Sequence, residues 1–417
     1  MATRRHGDDP LARTRERMPV VESLRAEFAE TEPLSGLMVG VASHLEPKTG
    51  VYLEAVRDAG ARVLFTASNH ESTHADVVDH LAAQSGLEPF VEAEMDQTEL
   101  DAARRDLLAR EPELLLTDGA QLLALAYASD VPTDQLRGVA EQTTSGVHRI
   151  EAMADDGTLT VPALAVNHTP VKHRFDNVHG TGESALANLM VTTNRVTAGS
   201  TIVVAGYGYV GRGIARKARA LGAETLVTEV EPRAALRAHM DGHDVVPMAE
   251  AAPRGDVFIT ATGSCRVLTP DHYRAMADRA LVCNAGHRAV ELGVDKLREL
   301  AVATEAVGEG ITRFELPDGD HVDLFADGEL ANLAGPYAQG HPAAVMDTTF
   351  GALLLAARSL VETDRTPGVY ELPDELDREV AERKLAAHGV DIDERTSLQS
   401  AYENAWRRER LLANHEE

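Results

Sequence analysis

Short apolar runs alternate with longer amphipathic stretches through most of the chain. In roughly the first 165 residues, helical patterns separate three apolar runs that end in polar residues: SGLMVGVASHL, RVLFTASN and ELLLTDG. The alternation continues with TIVVAG, DVFITATG and ALVCNAG. Apolar runs of strand length separated by helices are typical of parallel sheets covered by helices. The pattern therefore predicts an α/β protein whose first half forms an α/β layer of its own.

Helical patterns dominate both ends of the chain. Residues 1–33 predict one amphipathic helix closed by TEPLSG, and MDTTFGALLLAARSLVE predicts a long helix. After PGVYELPDELD the pattern becomes a charged helix, EVAERKLAAHG, followed by a tail that contains Trp406. Because 417 residues exceed one ordinary domain, two or three domains are expected, each able to bury a core.

The charge balance limits the kinds of molecule that the protein is expected to bind. Asp and Glu number 67 against 40 Lys and Arg, which gives a formal charge of −27. This excess of carboxylates disfavours binding to nucleic acid or to an anionic membrane. Salt screens the self-repulsion of an acidic surface, so the composition indicates adaptation to a salty cytoplasm. The alternative is an ordinary acidic enzyme.

Cysteine use and the N-terminal residues indicate a cytoplasmic protein. The two cysteines lack paired spacing, so neither a disulfide framework nor a thiolate zinc site is expected. The first residues, MATRRHGDDP, contain no apolar leader segment. The longest apolar stretches, such as GALLLAARSL, are shorter than a membrane span. The histidines show no metal-ligand pattern, and we expect no metal.

A glycine-rich loop, Gly206-x-Gly208-x-x-Gly211, follows the apolar run TIVVA and precedes the helical stretch IARKARALG. In a dinucleotide site, the first glycine permits a tight turn, the second admits the pyrophosphate and the third lets helix and strand pack closely. Glu229, 23 positions after Gly206, is suited to accept a hydrogen bond from a ribose hydroxyl and to repel a 2′-phosphate. The loop predicts NAD; the alternative is a glycine turn that serves helix packing alone.

Six polar segments follow strand ends or lie between the predicted domains, where α/β proteins form ligand sites. They are SHLEPKT, TDGAQ, AEQTTSGVH, VNHTPVKHRFDNVHGTGES, NAGH and NLAGPYAQGHP. In the fourth, Lys172, Asp176 and Asn177 fall within six residues. Lysine is rare in this chain, and a lysine beside a carboxylate and between histidines can take a proton from an alcohol. The alternative is a surface Lys–Asp pair of little energetic value.

These segments together resemble the S-adenosyl-L-homocysteine hydrolase family. The most specific of them are EQTTSGVHR, VNHTPVKHRFDNVHGTGES, VVAGYGYVGRG, TEVEP, NAGH, and GHP with the later MD. The resemblance extends from about Met18 to Trp406, nearly the whole chain. The short tail ending in AYENAW is similar to the thermophile and archaeal branch of the family.

The resemblance implies two Rossmann-like domains around a cleft, with a short C-terminal helical tail. Hinges are expected near residues 178–182 and 340–345. Family members are usually tetramers whose tail packs on a neighbour's NAD site, so a homotetramer or homodimer is expected, with Tyr402 and Trp406 in that contact. The implied boundaries are 1–178 and 342–385 for the substrate domain, 179–341 for the NAD-binding domain and 386–417 for the tail.

The same resemblance implies an enzyme of the methyl cycle that hydrolyses a nucleoside thioether. In this family, tightly bound NAD oxidises the ribose 3′-hydroxyl to a ketone, which makes the C4′ hydrogen acidic enough for a protein base to remove. Homocysteine leaves from C5′, water adds, and the ketone is reduced again. The protein supplies position, proton transfer and a closed, dry cleft. The substrate is expected to be S-adenosyl- or S-inosyl-L-homocysteine.

Residue roles also follow from the resemblance. Lys172 and Asp176 match the residues that hold and deprotonate the 3′-hydroxyl. Asp118 and His44 match a pair that moves protons at C4′ and C5′, and His287 matches a histidine near the ribose and nicotinamide. The residues implied for substrate binding are Glu46, Lys48, Thr49, Gln142 and His341. Those implied for NAD binding are Thr143, Thr144, Ser145, Asn177, Gly206, Gly208, Tyr209, Val210, Gly211, Glu229, Thr262, Gly263, Ala285, Gly286, His287, Asn332 and His341.

Several positions depart from the family pattern. Gln142 stands where a second, substrate-contacting acid is usual, and an amide cannot ionise. The TDGAQ loop keeps Asp118 but lacks two other acids. Arg288 replaces an aromatic residue, His168 replaces an aspartate, and Ala234 replaces an asparagine that contacts NAD.

Glu46 and Lys48 stand where other branches carry a threonine and an acid that contact the adenine. A lysine donates towards a purine 6-oxo group, whereas a carboxylate accepts from a 6-amino group, so we hypothesise a preference for hypoxanthine. Two other functions stay open from the sequence. One is an NAD- or nucleoside-binding paralogue that regulates a partner, and the other is an NAD dehydrogenase that acts on a small hydroxy or keto acid.

Overall fold

The computed structural model describes residues 9–69, 72–92, 94–129, 131–406 and 408. The strands in these ranges are β1 (Met38–Ser43), β2 (Arg62–Ala67), β3 (Leu87–Pro89), β4 (Leu114–Thr117), β5 (Gly138–Glu141), β6 (Pro162–Ala165), β7 (Thr201–Ala205), β8 (Glu224–Thr228), β9 (Asp244–Val245), β10 (Val257–Thr260), β11 (Ala280–Asn284), β12 (Ala303–Gly308), β13 (Ile311–Glu315), β14 (His321–Phe325) and β15 (Gly368–Glu371).

The helices separate most of these strands, as the hydrophobic pattern predicts. The α-helices are α1 (Ala12–Arg15), α2 (Pro19–Thr31), α3 (Pro47–Asp58), α4 (Ala75–Ala82), α5 (Gln97–Leu108), α6 (Gln121–Ala128), α7 (Thr144–Asp155), α8 (Gly182–Thr193), α9 (Tyr209–Ala220), α10 (Pro232–Met240), α11 (Met248–Ala251), α12 (Pro270–Ala275), α13 (Val294–Leu300), α14 (Ala343–Glu362), α15 (Asp374–Ala387) and α16 (Ser397–Asn404). A π-helix (Lys172–Thr181) precedes α8.

The first sheet has seven strands in the order β15-β6-β5-β4-β1-β2-β3. Its strands all pair in parallel. Along β4, Leu114 and Leu116 pack into the core on one face, and Leu115 packs into the core on the other. Burial on both faces explains the uninterrupted apolar run that marks this strand in the sequence. The strand order changes direction between β1 and β4, which opens a crevice at their carboxyl ends.

The second sheet has eight strands in the order β12-β13-β14-β11-β10-β7-β8-β9. Its six strands from β14 to β9 pair in parallel. β13 and β12 extend the β14 edge in antiparallel orientation. The order changes direction between β7 and β10, so a second crevice opens where Gly206 follows β7. Two sheets of this kind confirm the predicted fold of two Rossmann-like domains.

The structure corrects the sequence prediction in two places. Residues 9–33 do not form one helix, because α1 ends before Met18 and α2 starts afresh at Pro19, whose fixed backbone suits a first helical position. Residues 1–8 of the predicted helix lie outside the described residues. The antiparallel β12 is exposed at every position and β15 has no fully buried residue, so neither strand shows the apolar run that marks the others. β15 pairs with β6 and returns the chain to the first sheet; the domain boundaries themselves stay predictions.

Helix α14 forms part of the core beside the first sheet. By length and composition it could cross a membrane, but 78% of its most apolar window is buried inside the protein. The Phe350 ring stacks on Tyr52 of α3, with centroids 4.5 Å apart. The Asp347 carboxylate accepts hydrogen bonds from the backbone N–H groups of Val20 and Val21 at the start of α2. α14 therefore anchors the N-terminal helices to the first sheet.

Glycines let the π-helix pack directly on α9, the helix that follows the glycine loop. A Cβ atom at Gly213 would lie 2.1 Å from the backbone oxygen of Val178, and one at Gly182 would lie 2.7 Å from the carbonyl carbon of Gly213. No real side chain fits such gaps. Close backbone contact at this crossing sets how the segment joining the two sheets sits on the second sheet.

We predict that Gly213→Ala destabilises the fold, because its methyl group must push α9 away from the π-helix. Overpacking of this kind costs about 1–3 kcal/mol. Urea unfolding curves should show a lower midpoint for the variant. Gly308→Ala is the matched control, since the nearest atom to its Cβ would be 3.9 Å away, and this variant should unfold close to the wild type. Equal midpoints for Gly213→Ala and the wild type would contradict the proposed tight crossing.

Candidate active site

The crevices of the two sheets open onto one shared cavity of about 470 Å³. From the first sheet, His44 follows β1 and Asp118 follows β4; from the second, Thr262 follows β10 and His287 follows β11. Lys172 of the π-helix also lines the cavity. The carboxyl ends of strands at a change in strand order are where open α/β sheets bind ligands. The cavity is therefore the candidate active site.

A buried carboxylate, Asp176, lies at the centre of the polar groups beside this cavity. One of its oxygens accepts hydrogen bonds from the Lys172 ammonium and the Thr349 hydroxyl, each at 2.6 Å. Its other oxygen lies 2.6 Å from Nδ1 of His341. The Lys172 ammonium also donates to the Asn177 side chain at 3.1 Å. Asp176 thus connects the π-helix to α14 and to the loop before it.

Lys172 and Asp176 are one helical turn apart, with relative exposures of 5% and 0%. The alternative of a weak surface ion pair is therefore wrong. Burial alone would raise the pKa of Asp176, but the charges and hydrogen bonds of His341 and Lys172 hold it well below its usual range. Asp176 stays ionised at neutral pH and fixes the position of the Lys172 amine.

A second polar group surrounds Asp118. The Gln142 amide donates to the Asp118 carboxylate at 2.8 Å, while Nε2 of His44 lies 3.9 Å from the same carboxylate oxygen. Nδ1 of His44 lies 2.5 Å from the Ser72 hydroxyl, which orients the ring. The Gln142 carbonyl oxygen is buried and has no hydrogen-bond partner among the described residues. It is placed to accept a hydrogen bond from a bound molecule.

Glu46 and Lys48 form a buried ion pair at another wall of the cavity, with 2.6 Å between carboxylate and ammonium. The Lys48 ammonium also donates to the backbone oxygen of Gln339 at 2.8 Å. His341 lies two residues after Gln339, and its Nε2 lies 2.8 Å from the Thr181 hydroxyl. The segment before α14 therefore contacts both the Glu46–Lys48 pair and the π-helix.

The glycine loop after β7 has the geometry of a dinucleotide cradle. Gly206 has a φ of +94°, and a Cβ atom at Gly211 would lie 1.9 Å from the Gly206 carbonyl oxygen. A Cβ atom at Gly208 would meet nothing within 4 Å, so space remains where a pyrophosphate binds. The Glu229 carboxylate accepts from the Tyr207 backbone N–H at 2.7 Å. Asn332 lines the shared cavity, and its buried side-chain oxygen lacks a partner among the described residues. These features fit a dinucleotide.

Comparison with known proteins identifies the family. The family model "S-adenosyl-L-homocysteine hydrolase, NAD binding domain" matches residues 177–338, and the model "S-adenosyl-L-homocysteine hydrolase" matches residues 1–131. The adenosylhomocysteinase of Haloquadratum walsbyi (strain DSM 16854 / JCM 12705 / C23) is 46% identical over 97% of this chain and 94% of its own length. The chain belongs to the S-adenosyl-L-homocysteine hydrolase family. It carries the family's NAD-binding domain, and its cofactor is NAD.

Other relatives carry either of two names. The adenosylhomocysteinase of Halobacterium salinarum (strain ATCC 29341 / DSM 671 / R1) is 46% identical, covering 94% of this chain and 92% of the relative. The S-inosyl-L-homocysteine hydrolase of Methanothermobacter thermautotrophicus is 41% identical, covering 96% of both chains. The family is therefore clear, whereas the relatives' names differ in the purine base.

The structure brings most of the residues suggested by the family resemblance to the shared cavity. Asp176 does not line this cavity, because it lies directly behind Lys172. Gly208 and Tyr209 line a second cavity of about 330 Å³. Neither cavity is lined by Gly206, Gly211 or Glu229. The suggested residues that line the shared cavity are His44, Glu46, Lys48, Thr49, Asp118, Gln142, Thr143, Thr144, Ser145, Lys172, Asn177, Val210, Thr262, Gly263, Ala285, Gly286, His287, Asn332 and His341.

Sequence reasoning missed Glu141, the buried carboxylate beneath the first-sheet loops. It accepts hydrogen bonds from the Thr117 hydroxyl, from the backbone N–H groups of Gly119 and Ala120, and from both the backbone and hydroxyl of Thr143. The loops that carry Asp118 and Gln142 are therefore held by one side chain. An acid at the end of an apolar strand, followed by QTT, was the available signal.

Glu291 has the same function in the second sheet and was also missed. It accepts hydrogen bonds from the backbone and hydroxyl of Thr262 and from the backbone of Gly263. A Cβ atom at Gly286 would lie 2.2 Å from the Glu291 carboxylate, so this glycine admits the acid beneath the loop. Burial raises the pKa of Glu291 despite these hydrogen bonds.

We predict a pH effect on stability from Glu141. Burial, with the charge of Asp118, raises the pKa of Glu141 to about 7 from an ordinary 4.5. The folded protein then binds this proton more tightly than the unfolded chain does, so the contribution of Glu141 to stability falls as the pH rises between these values. The change is about 3 kcal/mol at most.

The measurement is urea unfolding between about pH 5 and about pH 8 at constant high salt. Glu141→Gln should be less stable throughout, because an amide N–H would oppose the backbone N–H groups that the carboxylate accepts from. Its stability should nevertheless decline less steeply as the pH rises. Parallel pH profiles for variant and wild type would contradict the assignment.

Proposed function

We propose that this protein reversibly hydrolyses S-adenosyl- or S-inosyl-L-homocysteine to the nucleoside and L-homocysteine. The observation that carries the proposal is the buried Lys172–Asp176 pair, whose lysine lines the same cavity as the loops of the NAD-binding sheet. Relatives with both names cover at least nine-tenths of this chain. Bound NAD would supply reversible hydride acceptance at the ribose C3′.

Lys172 would accept the proton of the ribose 3′-hydroxyl in this reaction, in its neutral amine form. Asp176 does not reach the cavity, because it is fully buried behind Lys172. Its ionised carboxylate would hold the lysine amine in place and stabilise the ammonium that forms. Thr349 donates to the same Asp176 oxygen as Lys172, and Nδ1 of His341 lies 2.6 Å from the other oxygen.

Asp118 and His44 would exchange protons at C4′ and C5′ during loss and return of homocysteine. The side chains of both line the cavity. Nε2 of His44 lies 3.9 Å from the Asp118 carboxylate, which would stabilise the protonated imidazole. Gln142 positions Asp118 by a hydrogen bond that needs no charge of its own. The amide would therefore replace the usual acid in positioning while leaving proton transfer to its neighbours.

Several finer features belong to the same proposal. The excess of carboxylates supports a salty cytoplasm. Tyr402 lies on α16, and Trp406, beyond that helix, is 83% exposed, which supports packing on a second subunit in a homotetramer or homodimer; residues 407 and 409–417 of this tail lie outside the described residues. The substrate domain would comprise 1–178 and 342–385, and the NAD-binding domain 179–341.

The two alternative functions find less support. A regulatory paralogue that only binds nucleosides has no need to keep Lys172, Asp118 and His44 on one cavity with their positioning partners. A dehydrogenase of small hydroxy acids would release reduced cofactor, whereas the proposed cycle returns the cofactor oxidised. The hydrolase therefore accounts for more of the site.

We predict that Lys172→Ala lowers thioether hydrolysis about a hundredfold to ten-thousandfold, the usual contribution of a general base. The assay incubates purified protein in high salt with each thioether and follows the release of free thiol. Lys296→Ala is the control, because Lys296 pairs with Glu299 on the surface, and it should retain wild-type activity. Full activity in Lys172→Ala would show that the wrong base was chosen.

We also propose that the Glu46–Lys48 pair selects hypoxanthine over adenine. An ammonium has three N–H donors; Glu46 and the Gln339 carbonyl occupy two of those of Lys48. The remaining donor suits a 6-oxo group, whereas the Glu46 carboxylate is already engaged by the lysine. The pair therefore favours a base that accepts a hydrogen bond at this position.

We predict a higher kcat/KM for S-inosyl- than for S-adenosyl-L-homocysteine. Lys48→Met should lower kcat/KM for the inosyl substrate roughly tenfold or more, as expected for loss of a charged hydrogen bond, and should change the adenosyl value less. Initial rates with both nucleosides, for wild type and variant, check this. A clear preference of the wild type for the adenosyl compound would overturn the base assignment and leave the hydrolase proposal intact.

A further inference from the structure

Arg288 lies next to His287 on the loop after β11, and both residues line the shared cavity. It is exposed, and no ion pair involves it among the described residues. Most arginines near it in the sequence have carboxylate partners, for example Arg266 with Asp295 and Arg274 with Asp271. In a chain with a net charge of −27, an unpaired guanidinium on a cavity wall points to an anion supplied from outside the chain.

The same cavity is also lined by Ser68, which directly follows β2. The Ser68 hydroxyl is buried and has no hydrogen-bond partner within the described part of the chain. Its backbone oxygen accepts a hydrogen bond from the buried guanidinium of Arg104 at 2.9 Å. An unsatisfied buried hydroxyl costs free energy unless a ligand or water completes it. Ser68 is therefore ready to donate to a bound acceptor.

Arginine charges act on the residues around Arg288 and Ser68. Burial, followed by the charges of Arg288 and Arg149, lowers the pKa of His287. Burial and the charge of Arg288 also lower the pKa of Arg104, although Asp101 opposes this from 2.7 Å. The guanidinium groups of Arg288 and Arg104 are therefore close enough to repel each other. An anion between them would relieve that repulsion.

Three acidic residues also line the cavity. Asp118 is held by Gln142, and Glu46 is neutralised by Lys48. Glu329 lines the cavity as well. The first two are occupied by partners within the site, so neither provides the carboxylate that Arg288 lacks.

We propose that Arg288 and Ser68 form a subsite that binds the α-carboxylate of the amino-acid half of the substrate. The inference rests on the proposed function. The Glu46–Lys48 pair and Lys172 would hold the nucleoside, and His44 and Asp118 would lie at the carbon that loses sulfur. The Ser68 N–H donates to the Ser43 carbonyl, the residue before His44, so the subsite adjoins the point where sulfur leaves. A guanidinium is the side chain best suited to bind a carboxylate.

The test uses the synthetic direction, with the purified full-length protein, saturating nucleoside and varied thiol. The two thiols are L-homocysteine and 3-aminopropane-1-thiol, which lacks the carboxylate. Arg288→Gln should raise the KM for L-homocysteine roughly tenfold to a hundredfold, the expected loss of a charged hydrogen bond. Its KM for the aminothiol should stay within about twofold of the wild-type value, because that thiol has no carboxylate to lose.

Three further measurements make the outcomes distinct. Arg298→Gln, an exposed arginine on α13, is the control and should keep both KM values. Ser68→Ala should raise the KM for L-homocysteine by a smaller factor than Arg288→Gln. The nucleoside alone should still reduce the bound nicotinamide in Arg288→Gln, as seen by near-ultraviolet absorbance, because that step needs no carboxylate.

An unchanged KM for L-homocysteine in Arg288→Gln, or an equal rise for both thiols, would overturn the subsite and leave the hydrolase proposal standing. Failure of the wild type to join any thiol to the nucleoside would instead contradict the proposed function, and with it the subsite.

Discussion

The site depends on one buried interaction, the carboxylate of Asp176 with its three partners. Removing a carboxylate from water costs several kcal/mol, which only close opposite charges and hydrogen bonds recover. Lys172, Thr349 and His341 supply these from the π-helix, from α14 and from the loop before it. If any partner moved away, charge would be left uncompensated inside the protein. These contacts therefore fix the Lys172 amine in place. They also fix the π-helix relative to α14 and to the loop before it.

The same principle recurs where loops must keep an unusual shape. Glu141 and Glu291 each lie under a pair of loops and accept hydrogen bonds from backbone N–H groups that would otherwise be unsatisfied. Gly146 and Gly286 admit these carboxylates, because a Cβ atom at either position would overlap them. Loops usually carry function because a rigid scaffold holds them. Here the scaffold extends to single buried acids beneath the loops at the carboxyl edge of each sheet.

Charge is distributed unevenly in this protein. The surface has a large excess of carboxylates, which suits solubility in salt, whereas the cavity contains Lys48, Lys172, Arg288 and nearby Arg104. Cations along the cavity of an acidic protein raise the local preference for anionic and hydrogen-bond-accepting ligands. A nucleoside joined to an amino acid presents such acceptors at both ends, as a purine oxygen or ring nitrogen and as a carboxylate. The distribution therefore agrees with the proposed substrate.

The sequence by itself determined the parallel α/β class, the glycine loop and the proximity of Lys172 to Asp176, because each depends on local periodicity or short spacing. It did not reveal that a new helix begins at Pro19, that strand β12 is exposed, or that Lys172 lies on a π-helix. Nor did it reveal that Glu141 holds the Asp118 loop or that Ser68 and Arg288 line the same cavity. Those facts require residues far apart in the chain to meet, and whether a polar side chain is buried, paired or left with a free hydrogen-bonding position is decided by packing between elements. Only the tertiary structure supplies that packing.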